Sequence, residues 1–509
     1  MNNRRLQPDL TLQTWDIQDL SSCQADSTGK LIRKSDSSKQ LTSAQTSTAL
    51  DLRSLSLKET AHLRAAYYWL NCYTPHSTES PSERIKGFLE AAHFLEQLQA
   101  WDLLSEIIVC TPDASSAITL HKQLEVWGLL RERIQLFQPL IGKISPELDF
   151  LCLNGLGESF SYLCQYADAI ASYKQNLKLS KDTGNIWGQL TTLEGLGFCH
   201  LYWGRYEEGK EYFEKAIWLI EKVQPSSNQS RDIALTYSRS LAGLGYIMYF
   251  LRQFSKGIHY GQKSLQLAQS RHDIHSQWMA LGALAICYSQ QGKHTKASRC
   301  IQQRLTLKHH GISAHDQLTA LIDLGATYCY QLKFTEAIKC LEEVIAKSKV
   351  LGSVRGRCQA SMLLGFIYCW QNKAKLSLEK SQHSLQLAQQ FDYSHFESQS
   401  YSQLSYVYSG LGKCEQAITL AYQALETSEH ISSQPVFYNA CGLMALGLAQ
   451  IQNRQILSGI RSILESLLLL PPCSATDGQI ILALLLKRIS QWFKIKDWKI
   501  KQSNMIKPN

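Results

Sequence analysis

Leu321–Gly352 reads LIDLGATYCYQLKFTEAIKCLEEVIAKSKVLG. Its apolar residues recur at helical spacing in two runs, Leu321, Leu324 and Tyr328, then Phe334, Ala337, Ile338, Leu341, Val344 and Ile345, on either side of the short turn Gln331–Lys333. Two amphipathic helices joined so closely form a hairpin. A single hairpin cannot bury both stripes, so it has to stack on others of its kind.

The others are present. With Leu324–Gly325 as anchor, the same small pair returns as Leu156–Gly157, Leu196–Gly197, Leu244–Gly245, Leu284–Ala285, Leu364–Gly365, Leu404–Ser405 and Leu446–Gly447. Six of the seven steps are 40 or 42 residues and one is 48. A second small residue stands thirteen places after each anchoring Leu: Ala169, Gly209, Gly257, Ala297, Ala337, Ser377, Ala417 and Gly459. Two helices cross where their side chains are smallest, so a large residue at either position would push them apart. The expected fold is therefore all-α, an α-solenoid of about eight antiparallel hairpins over residues 146–470.

These residues resemble the tetratricopeptide repeat in a version lengthened from 34 to about 40 residues. Leu324, Gly325 and Tyr328, followed by Ala337 and Leu341, match the family's paired signatures; its Trp at the start of the first helix and its Pro at the end of the second are missing. The longer form is similar to repeats in bacterial signalling and adaptor proteins, cyanobacterial ones included. The resemblance implies that the first helix of each hairpin lines a concave groove, through the residues two and six places after the anchor. At six places stand Tyr162, Tyr202, Phe250, Gln290, Tyr330, Trp370, Gly410 and Gln452; at two stand Glu158, Phe198, Tyr246, Ile286, Ala326, Phe366, Tyr406 and Leu448. Four residues apart, the two positions share a helix face. Phe198, Tyr202, Tyr246, Phe250, Tyr330, Phe366, Trp370 and Tyr406 are thus the candidate peptide-binding groove, to be weighed against the reading of the same rings as core.

The rest of the chain frames this array. Residues 1–57 are rich in Ser, Thr, Gln and Asp without a sustained period and read as a disordered tail. Residues 58–145 read as helical with worn repeats: Ser80, Pro81 and Glu83 mark a helix start, and Trp127 aligns with Tyr166 as a ninth unit. Residues 471–509 follow Pro471–Pro472, and Ile481, Leu485, Ile489, Trp492, Ile495 and Trp498 make a basic amphipathic helix, expected to cap the last repeat or else to lie on an acidic membrane surface. Of the net charge of +9, +6 lies in Gly478–Asn509. Nucleic acid is not indicated as a partner, because a binder would repeat basic residues once per unit.

Chemistry is not spelled out. Fifteen cysteines form no C-x-x-C pair and several replace Ala, Leu or Tyr inside repeat helices, as buried hydrophobes in a reducing compartment would. Gly410-Leu411-Gly412-Lys413 lacks the length and hydroxyl of a phosphate loop and reads as a hairpin turn. His272 and His275 have no ligand-spaced neighbours and read as solvated. The positions two before each anchor carry no Lys or Arg, against a clamp for a C-terminal carboxylate. The expectation is a cytoplasmic, non-catalytic scaffold or adaptor without catalytic residues, cofactor or metal, whose partner is a protein or peptide; a peptide- or effector-sensing regulator and a helical-repeat nucleic-acid binder are the alternatives.

Overall fold

A computed structural model describes residues 24–25, 31–32, 56–73, 80–112, 118–222, 230–307, 312–429, 431 and 435–469. The basic segment 471–509 and nearly all of the tail 1–57 lie outside them. Apart from a two-residue ladder pairing β1 (Gln24–Ala25) with β2 (Leu31–Ile32), the described residues fold as helices and their connections.

The chain divides into two compact units at Leu156. The first contains α1 (Leu57–Asn71), α2 (Pro81–Gln97), α3 (Trp101–Val109), α4 (Leu120–Trp127) and α5 (Leu130–Phe137). Ser80 caps α2 by accepting from the Glu83 amide at 3.3 Å, with Pro81 at the first turn as the sequence implies. The full reciprocal box forms instead at Ser56 and Glu59, at 3.2 and 2.7 Å. Trp127 ends α4 rather than opening the helix after it. The left-handed turn residue is Gly128 at φ 76°, so the worn unit sits 36 residues before Cys164, its counterpart in the first clear repeat.

The boundary falls inside α6 (Pro146–Tyr162), whose partner is α7 (Tyr166–Asp182). Six further hairpins follow: α8 (Ile186–Trp203) with α9 (Tyr206–Lys222), α10 (Ser230–Phe250) with α11 (Phe254–Ser270), α12 (Ile274–Gln290) with α13 (His294–Thr306), α14 (Ala314–Tyr330) with α15 (Phe334–Leu351), α16 (Val354–Trp370) with α17 (Ala374–Gln390), and α18 (Ser394–Gly410) with α19 (Cys414–Glu429). The eighth pairs α20 (Pro435–Gln452) with α21 (Ile456–Leu469). This second unit is an α-solenoid.

Its hairpins close where the small residues recur. A Cβ on Gly209 would lie 3.0 Å from the Gly197 carbonyl oxygen, and one on Gly257 3.1 Å from that of Gly245. Ser377 uses the same approach to donate to the Gly365 carbonyl at 2.8 Å. Ala169, Ala297, Ala337 and Ala417 are fully buried at the equivalent place. Every hairpin then reverses through a residue in the left-handed region: Cys164, Gly204, Arg252, Gly292, Leu332, Asn372, Gly412 and Arg454, with φ between 58° and 86°. All stand eight places after the anchoring Leu, so one turn geometry repeats whatever the residue. The next hairpin starts at a capping side chain: Asn185, Asp273, Ser313 and Ser353 accept from the amides of Gly188, Ser276, Asp316 and Gly356.

Candidate functional site

The eight candidate aromatics fall into two groups. Phe198, Tyr202, Tyr246 and Phe250 surround one interior cavity of about 50 Å³. Trp370 and Tyr406 belong to a separate apolar cluster with Met444, Leu446 and Leu448, against which Tyr330 and Phe366 pack. None stands free. Phe198 meets Phe213 edge-on at 4.8 Å, Phe250 stacks on Tyr206 at 4.4 Å, and Trp370 lies 6.0 Å from Phe334.

Several contacts reach across the interior to a distant hairpin. The Tyr246 hydroxyl on α10 donates to Asp323 Oδ2 on α14 at 3.1 Å, and the Tyr249 and Tyr330 hydroxyls meet at 3.1 Å. Asp323 also accepts from Arg304 Nη1 at 2.6 Å, in a pair almost closed to solvent. Burial pushes the Asp323 carboxyl up from its ordinary value against the pull of Arg304. The guanidinium of Arg355, second residue of α16, lies 5.6 Å from the Tyr202 ring centroid. Nearby Asp316 accepts from the Ser313 hydroxyl at 2.7 Å and pairs with His275 at 3.3 Å. His275 is thus in contact with a carboxylate, although its side chain stays partly open to solvent.

A second set of contacts joins the edges of the array. The Tyr166 and Tyr393 hydroxyls lie 2.8 Å apart, Tyr206 lies 3.2 Å from His395 Nε2, and the Arg252 guanidinium sits 4.1 Å from the Phe437 ring. The first three hairpins therefore dock, through their turns, on the starts of the seventh and eighth. Burial, reinforced by Arg355, holds His395 neutral by lowering its pKa to about 3. Sequence spacing could not find this seam, since contacts some 190 to 230 residues apart carry no trace in a period of 40. The one local signal is Tyr393-Ser394-His395-Phe396, where two other hairpin starts read Ser353-Val354-Arg355-Gly356 and Ser313-Ala314-His315-Asp316.

A wider cleft of about 650 Å³ opens between α13 and the turn after α14, lined by His294, Arg299, Tyr330 and Lys333. Among the described residues no three His, Cys, Asp or Glu side chains come together as a metal site would require, and no helix is long and apolar enough to cross a membrane. The thirteen cysteines described are free thiols, and burial pushes Cys329 and Cys358 up to about 12. Gly412 forms the expected turn.

Tetratricopeptide-repeat family profiles match residues 191–221, 280–311, 317–353 and 357–430. No curated protein matches the sequence. Among solved structures, the chain is similar to a signal transduction ATPase with numerous domains that carries a tetratricopeptide repeat sensor, from Pyrococcus horikoshii, at 12% identity and a TM-score of 0.45 over 81% of this chain. The match spans only 63% of that protein's length. It is also similar to NprR in complex with its cognate peptide NprX (14% identity, 71% of this chain and 99% of that one, TM-score 0.46). A third is aspartyl phosphate phosphatase F from Bacillus subtilis (11% identity, 70% and 86%, TM-score 0.41). With the crossing residues, the turns and the family matches all agreeing, the chain carries an array of tetratricopeptide repeats.

Proposed function

We propose that the array is a protein-interaction module that takes a peptide or partner helix against its concave aromatic face and changes its winding as it does so. The observation that carries this reading is how the interior is closed. Phe198, Tyr202, Tyr246 and Phe250 leave only about 50 Å³ between them, too little for a peptide. Yet the cross-interior bonds at Tyr246 and Tyr249 and the seam bonds at Tyr166 and Tyr206 are made by side-chain tips. Each such bond contributes about 1 kcal/mol net, within reach of a ligand that offers the same rings new partners. Scaffold and sensor become one mechanism: binding and opening draw on the same contacts.

The test is selection of a random peptide library on the full chain, repeated with Tyr202→Ala, Phe250→Ala, Tyr330→Ala and Trp370→Ala. Selected peptides should bind the variants at least about ten-fold more weakly and speed amide exchange at Tyr393–Phe396 in the parent. If every variant unfolds several degrees lower while peptide binding is unchanged, the rings are core alone and the reading is wrong.

A further inference from the structure

We propose that the edge formed by the turns of the fourth to seventh hairpins binds the phosphate backbone of a single-stranded nucleic acid. This goes beyond the proposed function, which concerns the concave face and a protein partner, and neither depends on the other.

Nine places after the anchoring Leu, directly past the left-handed turn residue, stand Lys293, Lys333, Lys373 and Lys413, 40 residues apart each time. One basic residue per unit is what a helical-repeat binder needs, and it occurs at the turns although the groove positions lack it. All four are exposed, and among the described residues none pairs with a carboxylate; Glu336 and Glu415, the acids of these turns, leave Lys333 and Lys413 alone. Nor do the lysines serve their own helices. Lys293, Lys333 and Lys373 hold the cap positions of α13, α15 and α17 without a side-chain bond to them, where Ser or Asp would stabilise the helix and a cation opposes its dipole. Each hairpin instead sets a lysine over the same tyrosine: Lys296 lies 5.7 Å from the Tyr288 ring, Lys333 6.0 Å from Tyr328, Lys373 5.8 Å from Tyr368 and Lys413 5.6 Å from Tyr408. The turns of the first three hairpins are engaged in the seam, and these four are open to solvent.

The cleft of about 650 Å³ lies on this edge, and no carboxylate lines it. From Leu251 to Ser313 the chain has nine Lys or Arg against Asp273 alone, so nothing on α11 or α13 offsets the charge of Arg299 and Lys333. Thr295, Ser298, Gln302 and Gln331 add hydroxyl and amide donors, the groups that hold phosphate oxygens. An acidic protein segment would need an apolar seat as well. The lining has no Ala, Val, Leu or Ile, and its one ring, Tyr330, offers a base a surface to stack on. A duplex, stiff over about 150 base pairs, does not follow an edge that curves enough to bring the first hairpins against the seventh and eighth. At about 10 Å per packed helix, the four lysines span about 30 Å, the length of about nine nucleotides of a stacked strand.

The experiment is fluorescence anisotropy of a labelled oligouridylate of about twelve nucleotides with the full chain, over a range of salt. Four lysine contacts predict that the logarithm of affinity falls against that of salt with a slope of about −3. Replacing the four together, Lys293→Gln, Lys333→Gln, Lys373→Gln and Lys413→Gln, should weaken binding by at least about 100-fold and flatten that slope. A control with the same loss of charge, Lys174→Gln, Lys178→Gln, Lys181→Gln and Lys222→Gln, changes exposed lysines of α7 and α9 and should stay within about two-fold of the parent. All eight positions are exposed, and thermal unfolding confirms that both variants keep the fold. Equal losses in the two variants would reduce the effect to net charge and overturn the inference, as would no binding by the parent. Polyglutamate or an RNA duplex of matched charge binding as tightly as the single strand would overturn it too, the former by giving the edge to an acidic protein. Peptide selection on the concave rings is untouched by these lysines, so either proposal can fail alone.

Discussion

The hydroxyls of Tyr166 and Tyr393 meet at 2.8 Å although the two stand 227 positions apart in the chain. Tyr166 also donates to the Tyr202 carbonyl at 3.1 Å, which commits its only proton, so Tyr393 is the donor in the pair. The order of donation makes the two positions unequal, and that inequality is measurable.

Tyr166→Phe removes both bonds and leaves the Tyr393 hydroxyl without this acceptor in a buried site, at a cost of about 2 to 3 kcal/mol; Tyr393→Phe removes one bond and costs about 1 kcal/mol. A double-mutant cycle by urea denaturation should give a coupling above about 0.5 kcal/mol. Additive effects would mean that the two rings do not meet in solution.

The seam should also respond to acid. His395 is neutral when folded, with a pKa of about 3, whereas the unfolded chain takes up the proton near 6.5. Its contribution is complete above about pH 6.5 and is lost as pH falls toward 3, by about 1.4 kcal/mol per pH unit. Buried His200, lowered to about 4, acts in the same direction. Glu194, raised to about 6 by burial despite Arg239, opposes them, because its folded carboxyl takes its proton first. Denaturation midpoints between pH 7 and 4.5 should fall, and His395→Gln should flatten the slope. An unchanged slope would put His395 in contact with water.

The repeating turn gives a cleaner pair of substitutions. A Cβ on Gly412, at φ 76°, would meet nothing within 4 Å, so Gly412→Ala tests backbone strain alone and should cost about 1 kcal/mol. Exposed Arg454 holds the equivalent position at φ 63°. Arg454→Gly should therefore stabilise by a few tenths to about 1 kcal/mol, the relief of strain being partly offset by glycine's greater freedom when unfolded. Thermal unfolding of both variants checks the signs, which should be opposite.

The array was legible because its cause is local. Leu324–Gly325 and Ala337 recur with a period that says where the helices cross, and Gly209 against the Gly197 carbonyl shows why the residues are small. The eight candidate rings were readable as sharing helix faces four residues apart, and the structure divides them between one cavity and a separate apolar cluster. What they face was not legible. Tyr246 meets Asp323, and Arg355 faces Tyr202, because of how tightly the array winds, and winding sums small tilts over many hairpins that no one repeat records. Trp127 was misplaced for a related reason: outside the regular period nothing but Gly128 marks the turn.

The crossing itself is open to test, and the structure orders two glycines of identical sequence role. A Cβ on Gly197 would stand 2.7 to 2.8 Å from three carbons of the Phe213 ring, which is fully buried and has no free direction to move. One on Gly325 would stand 2.8 Å from a terminal methyl and 2.9 Å from Cγ of Leu341, which is fully buried too but meets it with two carbons of an aliphatic branch where Phe213 presents three of a flat ring. Both changes add one methyl and both gain helix propensity, about 1 kcal/mol in favour of Ala. Overpacking against the rigid ring costs about 1 to 3 kcal/mol. Gly197→Ala should then be destabilising by about 1 to 2 kcal/mol, and Gly325→Ala by less, at about 0 to 1 kcal/mol. Leucine at Gly325 brings a whole branched side chain to the same contact and should cost about 1 to 3 kcal/mol. Urea midpoints rank the three. If Gly197→Ala proved as harmless as Gly325→Ala, close approach of the two helices would not be what these small residues are for.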